Sequence, residues 1–190
     1  MGLPVILSDR EILEAVKRGE IIIEPFDLSN VGPCSVDLTL SDRFLVFTGN
    51  REIDPMNPSS IESSVKIVVT GGKPFVIKPK QFVLAMTRER IALSKSLAAT
   101  LEGKSSVARL GLIVHAAGLV NPGTGLARPK PLVLEVFCEN TAPVKLYPGM
   151  KIVQIIFHKL SRPAEVGYDE RPTSHFAKEN RWIVAGKGVF

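Results

Sequence analysis

Residues 132–157, LVLEVFCENTAPVKLYPGMKIVQIIF, contain the pattern that decides the fold. Two short apolar runs, at 132–137 and 152–157, lie on either side of the turn-forming pair Pro148-Gly149. Runs of this length that are bounded by proline and glycine are typical of buried β-strands rather than helices. This stretch therefore predicts two strands of a β structure.

The same pattern recurs through most of the chain. Further apolar runs lie at residues 21–23, 36–40, 44–47, 65–69, 75–77, 82–86, 97–101 and 110–114. With 14 prolines and 15 glycines, long helices have little room. We therefore expect one mostly β domain over residues 1–190, a sandwich or barrel. Residues 54–64, DPMNPSSIESS, are predicted to be a loop, and residues from about 163 to 190 a mobile C-terminal arm.

One helix is expected, near residues 9–18. Ser8 and Glu11 have the spacing of a capping box, in which each side chain bonds the backbone of the other residue. Ile12, Leu13, Ala15 and Val16 then form an apolar face, and Gly19 is a favourable residue after the helix end.

The composition is that of a soluble globular protein, with 45% hydrophobic and 23% charged residues. The N-terminus lacks the basic region of a signal peptide, and Cys34 and Cys138 are far apart. We expect buried free thiols and a cytoplasmic location, with a disulfide as the alternative. The net charge of +5 suits a polyanion, but charges are scattered and aromatic residues are only 6%, so a nucleotide triphosphate fits as well as nucleic acid.

A dense group of phosphate donors lies at residues 103–109, GKSSVAR. Two cations, Lys104 and Arg109, flank the hydroxyls of Ser105 and Ser106. Ammonium, guanidinium, hydroxyl and backbone N–H groups are the donors that phosphate oxygens prefer. The segment lacks the glycines of a Walker loop, and a solvated charged turn is the alternative interpretation.

A carboxylate interrupts an apolar strand at Glu135. Strand alternation places Leu132, Leu134 and Val136 on one face, with Glu135 on the other. Burial of a carboxylate costs several kcal/mol unless it is paired, and it raises the pKa toward a range useful for proton transfer. A glutamate on a solvated strand face is the alternative.

Small residues 116–118 would let a planar ring approach the backbone. Asn121 follows and could bond a sugar hydroxyl, although Asn-Pro-Gly is also a favourable turn sequence.

These motifs, in their order, resemble the dCTP deaminase family of the dUTPase superfamily. The resemblance runs through ILSDREI, PCSVDLTL, GKSSVARLGL, VH, AGLVNPG, LVLE and LYPGMKIVQ, from residue 6 to about residue 168. It implies a distorted, jelly-roll-like β-barrel of the β-clip type and a homotrimer with sites at subunit interfaces. It also implies Mg²⁺ carried by the triphosphate and no zinc. The sequence lacks H-x-E followed by P-C-x-x-C, the zinc deaminase signature.

The resemblance also implies roles for particular residues. Glu135 would be the general base and then the acid, with Ser105 and Arg109 near the reacting water. The backbone near Val133 would face the base, and Gln154 and Tyr168 would line the phosphate end. The full set of implied substrate-binding residues is Lys104, Ser105, Ser106, Arg109, Asn121, Val133, Glu135, Gln154, Tyr168, His175, Lys178 and Glu179.

Three features depart from the family pattern. The stretch from His115 to Asn121 is one residue short and lacks a threonine, and Asn121 replaces an aspartate. Residues 125–131, GLARPKP, lengthen the loop before the strand of Glu135. His175 and Glu179 occupy tail positions where the family has lysine and glutamine, with Lys178 as another possible match.

We expect dCTP deamination to dUTP and ammonia. The alternatives are dUTP hydrolysis, alone or combined with deamination, a non-catalytic nucleotide-binding domain, and a basic barrel that binds nucleic acid. No membrane partner is expected.

Overall fold

The strands of the protein follow the predicted runs closely. The computed structural model describes residues 5–49, 52–54, 57–115 and 117–174. Its strands are β1 Ile21–Glu24, β2 Val36–Phe47, β3 Val65–Val69, β4 Phe75–Ile77, β5 Phe82–Leu93, β6 Leu97–Gly103, β7 Leu112–His115, β8 Leu119–Val120, β9 Lys130–Cys138, β10 Val144–Leu146 and β11 Lys151–Lys159. The helices are α1 Asp9–Lys17, α2 Pro58–Glu62 and α3 Ser105–Ala108, with a 3₁₀ turn at Leu28–Asn30. The mostly β prediction is confirmed.

Nine strands form one branched, antiparallel sheet in the order β7-β9-β5-β2-β11-β6-β8. β1 joins it by pairing with β5 and β3 by pairing with β2, while β10 and β4 form a separate two-stranded sheet. The sheet curls at β2, because this strand pairs with β11 along its first part and with β5 along its later part. Residues 36–39 pair with β11, and residues 40–46 pair with β5, with a register shift between Leu40 and Phe44. Two predicted runs are thus one bent strand.

The core fills the space inside this curled sheet. Its largest fully buried side chains include Phe44, Phe157, Leu38 and Leu134. Helix α1 closes one side by burying Ile12 and Ala15. The capping box is present: the Glu11 carboxylate accepts from the Ser8 backbone N–H at 2.9 Å, and Gly19 has φ +71° after the helix. The N-terminal helix prediction is confirmed. Within the described ranges, no helix is long and apolar enough to cross a membrane.

Polar side chains occupy the irregular point where β5 changes register with its neighbours. Glu89 is only 4% exposed, and its carboxylate accepts from the Thr39 N–H and hydroxyl at 2.8 and 2.6 Å. The Thr87 hydroxyl donates to the Glu89 carbonyl and accepts from the Leu132 N–H. A buried polar group is tolerated when such partners satisfy it. This network ties β2 and β5 to the start of β9.

Some local predictions were wrong. The segment 54–64 contains α2, because Asn57 caps the helix by accepting from the Ser59 N–H and Pro58 is favoured in a first turn. Cys138 is a buried free thiol as expected, but Cys34 is an exposed one.

The start of the predicted C-terminal arm contacts the sheet structure in the part that is described. The Ala164 N–H donates to the Lys95 carbonyl at 2.9 Å, and the Tyr168 N–H donates to the Pro122 carbonyl at 2.8 Å. Residues 175–190 lie outside the described residues, so the mobility of the arm stays a prediction.

The turn at residues 121–125 packs directly on β5, which gives a test of the fold. Gly125 has φ +74°, and a Cβ there would lie 2.3 Å from the Ile91 carbonyl oxygen. We expect Gly125→Ala to lower the free energy of unfolding by about 3 kcal/mol or more. Gly149→Ala is the matched control, because Gly149 has φ +85° with nothing within 4 Å of its Cβ position.

The control should cost only the backbone term, about 1–2 kcal/mol. Thermal unfolding of both variants at equal protein concentration measures the difference. Equal losses for the two variants would contradict the packing described for this turn.

Candidate active site

Glu135 lies on the outer face of β9. The predicted alternation is confirmed: Leu134, Val136 and Cys138 point into the core and are fully buried, whereas Val133 is 37% exposed on the other face. Antiparallel pairing places His115 of β7 and Leu84 of β5 directly opposite Glu135. Directly opposed residues share a sheet face, so the carboxylate stands between an imidazole and an apolar side chain.

The surroundings of the carboxylate are apolar along both neighbouring rows of the face. Ile113 pairs with Phe137, which pairs with Phe82 on its other side, and Met86 pairs with Val133. Ile113 and Phe82 are 50% and 39% exposed. The charged group is therefore set in a hydrophobic surface rather than on a solvated polar face.

Burial raises the pKa of Glu135 above its ordinary value, against the weaker effects of the backbone N–H groups of Glu135 and Ala117 and of nearby His115. Oε2 is buried and has no hydrogen-bond partner among the described residues. Buried polar atoms are nearly always paired, so an unpaired carboxylate oxygen is a group free to act on something else.

The predicted phosphate donors surround a short helix after β6. Ser105, Ser106 and Arg109 are exposed on or just after α3. Lys104 precedes the helix, and its ammonium is held by Oδ1 of Asp37. Oδ2 of the same aspartate lies 3.2 Å from the ammonium of Lys151. Asp37 thus gathers two cations beside the exposed hydroxyls.

Gln154 belongs to the same neighbourhood. It pairs with Asp37 on one side and with Glu102 on the other. Sequence reasoning missed three residues of the site: His115, Asp37 and Lys151. All three lie within the quoted family motifs, and the alternation of VDLTL places Asp37 off the core face, but the pairing of Lys151 with Asp37 joins distant residues and had no sequence signal.

The donor segment and Glu135 lie at the same end of the sheet. A Cβ on Gly103 would be 3.2 Å from the Val114 carbonyl oxygen, and the next residue, His115, is opposite Glu135. The Leu101 N–H donates to the Gly118 carbonyl, so the segment after β7 also contacts β6, the strand that leads to the donors. One chain therefore brings the carboxylate, both hydroxyls and the cations into one region.

Asn121 and Tyr168 lie away from Glu135, near the first residue of β9. The Tyr168 N–H donates to the Pro122 carbonyl at 2.8 Å, and the turn packs at the Lys130 end of β9. Glu135 is five positions along β9 from Lys130, which corresponds to about 17 Å at the usual rise. His175, Lys178 and Glu179 lie outside the described residues.

The chain is similar to known proteins of one family. The model of the family described as dCTP deaminase-like matches residues 6–160. A protein of Persephonella marina named "dCTP deaminase, dUMP-forming" is 41% identical over 164 residues, covering 86% of this chain and 89% of that protein. The "dCTP deaminase" of Thermomicrobium roseum is 43% identical over 180 residues, covering 91% and 89%.

A solved structure shows the same fold. The crystal structure of 2'-deoxycytidine 5'-triphosphate deaminase from Agrobacterium tumefaciens aligns with a TM-score of 0.63 and 20% identity. The alignment covers 83% of this chain and 48% of that one, so this chain matches about half of its length. This chain belongs to the dCTP deaminase-like family, and the resemblance seen in its motifs is confirmed.

The half-buried carboxylate of Glu135 predicts an effect on stability with a definite sign. Because the folded protein raises the pKa of Glu135, the folded state holds this proton more tightly than the unfolded state, and stability falls as pH rises through that interval. Glu135→Gln removes the charge, so the variant should equal wild type near pH 4 and exceed it at pH 7.

Urea unfolding at a series of pH values measures this difference. Glu139→Gln is the control, because Glu139 is exposed near the end of the same strand and loss of its charge should give no comparable rise. A Glu135→Gln protein less stable than wild type at pH 7 would show that the carboxylate is a structural group instead.

Proposed function

We propose that this chain is an enzyme that hydrolyses dCTP to dUTP and ammonia. The observation that carries the proposal is the buried, unpaired Oε2 of Glu135 beside a segment rich in phosphate donors. Membership of the dCTP deaminase-like family supports the substrate. The proposal also explains the raised pKa, since a base works best when its pKa approaches the operating pH.

Each residue has a part in the reaction. The Glu135 carboxylate takes a proton from water, and the hydroxide adds to C4 of cytosine. The protonated Glu135 gives that proton to N3, takes the proton of the new C4 hydroxyl and passes it to the amino nitrogen. The C–N bond then breaks, ammonia leaves, and the C4 carbonyl of uracil forms. Ser105 and Arg109 orient the water and stabilise the developing charge. The backbone around Val133, two residues before Glu135 on the same strand, would face the base.

The triphosphate would be held by Lys104, Ser105, Ser106 and Arg109, with Gln154 at its end. Mg²⁺ would be carried by the phosphates, whose charge it partly neutralises. This fits the chain, because the donors near α3 are cations and hydroxyls and Asp37 is already paired with two lysines. The described part of the chain holds no group of three or more His, Cys, Asp or Glu placed to bind a metal.

We also propose a homotrimer with sites shared between subunits. Tyr168 lies by Lys130, whose position on β9 is about 17 Å along the strand from Glu135, and a site shared between copies would let one copy supply Glu135 and another supply Tyr168 and Asn121. The exposed apolar row containing Ile113, Phe82 and Val133 offers a surface for such a contact. The number of three subunits rests on the family resemblance.

The products distinguish this reaction from dUMP formation. Several relatives carry the name "dUMP-forming", which favours a second candidate in which pyrophosphate is also released. An attack of water on phosphorus needs a base, and Asn121 stands where related enzymes have aspartate. An amide cannot accept a proton from water at neutral pH, so we propose dUTP as the end product.

Incubation of the protein with dCTP and Mg²⁺, followed by separation of nucleotides and ammonia measurement, tests both points. We expect one ammonia per dUTP, little dUMP, and a loss of at least about 10²-fold in rate for Glu135→Gln. Stoichiometric pyrophosphate would establish the dUMP-forming reaction. Nucleotide binding without ammonia release by wild type would identify a non-catalytic relative, and a variant with more than about a tenth of the wild-type rate would remove Glu135 from the mechanism.

A further inference from the structure

The lengthened loop before β9 makes a buried ionic contact at some distance from Glu135. Lys130, the first residue of β9, places its ammonium 3.0 Å from Oδ1 of Asp169. The two side chains are only 17% and 7% exposed. A buried ion pair is maintained only with good geometry and further hydrogen bonds, so its other partners indicate what it holds in place.

Two further hydrogen bonds fix the loop on both sides. The Ala127 N–H donates to Oδ2 of Asp169 at 3.3 Å, so both oxygens of the carboxylate have partners. The Arg90 side chain donates to the Pro129 carbonyl at 2.9 Å, which ties the loop to β5. The loop is therefore an ordered element that joins the sheet to the segment around residue 169.

The same ammonium also contacts an aromatic ring. It lies 5.0 Å from the centroid of Tyr168, a cation–π distance. The backbone N–H of Tyr168 donates to the Pro122 carbonyl, whereas its hydroxyl has no hydrogen bond to any described residue. The Lys130 ammonium thus holds the face of the ring and the Pro122 carbonyl holds the backbone of Tyr168. The hydroxyl is left to contact a ligand.

The turn that follows Asn121 is in direct backbone contact with the residues around Tyr168. A Cβ on Gly123 would lie 2.5 Å from the Gly167 Cα, so only glycine permits this approach. Thr124 of the same turn is buried, and its carbonyl accepts from the Leu93 N–H. The turn, the loop and the segment after β11 therefore form one packed unit.

We infer that Lys130 is a positioning residue for the nucleotide site. This inference rests on the proposed function, because Tyr168 and Asn121 are the substrate residues of that proposal. Lys130 itself does not touch the nucleotide. Its ammonium holds Asp169 and the ring of Tyr168, so that the Tyr168 hydroxyl and Asn121 are presented to the sugar and phosphates together. The added loop residues of this chain supply that support.

Steady-state kinetics on dCTP with the full chain test the inference through three variants. Lys130→Met should raise KM about tenfold and leave kcat within about twofold, because a misplaced contact weakens binding while Glu135 stays in place. Lys130→Arg should recover most of the KM, since it keeps the cation. Lys95→Met is the matched control: its pair with Glu170 reaches the same segment, but the two side chains are 35% and 52% exposed, and KM should stay within about twofold.

Hydrogen exchange supplies a readout that does not depend on activity. The amides of Tyr168 and Asp169, which donate to the Pro122 and Gly123 carbonyls, should exchange faster in Lys130→Met and not in Lys95→Met. A wild-type protein inactive on dCTP would refute the proposed function while exchange still decides the positioning. Wild-type KM in Lys130→Met, an equal rise in Lys95→Met, or unchanged exchange would each overturn the inference. If Lys130→Met fails to fold, Asp169→Asn replaces it with the same expectations.

Discussion

The central constraint of this structure is a carboxylate held in an apolar strand without a partner for one of its oxygens. Its neighbours on the same strand, Leu134 and Val136, are fully buried on the core side, so β9 cannot turn to release Glu135 into water. Pairing with β7 and β5 fixes the strand from both edges. The fold therefore keeps this carboxylate half-buried, and the partial burial holds its pKa above the ordinary value.

The rest of the chain serves this constraint in two ways. Glu89 and Thr87 satisfy the irregular point of β5 and hold the Leu132 N–H at the start of β9. At the far end, β6 delivers the phosphate donors beside β7. The second group of predicted substrate residues, Asn121 and Tyr168, is fixed separately by the turn and loop around Lys130.

Much of this could be predicted from local sequence patterns. The spacing of Ser8 and Glu11 predicted the start of α1, and the alternation in LVLEVF predicted that Glu135 faces away from the core. Both features could be predicted because they depend on residues close together in the sequence. What depends on distant contacts could not be predicted. The bend that makes β2 one strand, the two lysines gathered by Asp37, and the pairing of Lys130 with Asp169 all join residues far apart in the chain. The helix in 54–64 was missed because prolines and serines there favoured a loop.

The most direct test is an NMR titration of the Glu135 side-chain carboxyl carbon, assigned by comparison with Glu135→Gln. Our account predicts a midpoint clearly above about 4.3, the ordinary glutamate value, and the acid limb of kcat/KM for dCTP should follow the same midpoint. A midpoint at or below about 4.3 would mean that the carboxylate is stabilised in its charged form. That result would contradict the role of Glu135 as the proton-transfer group.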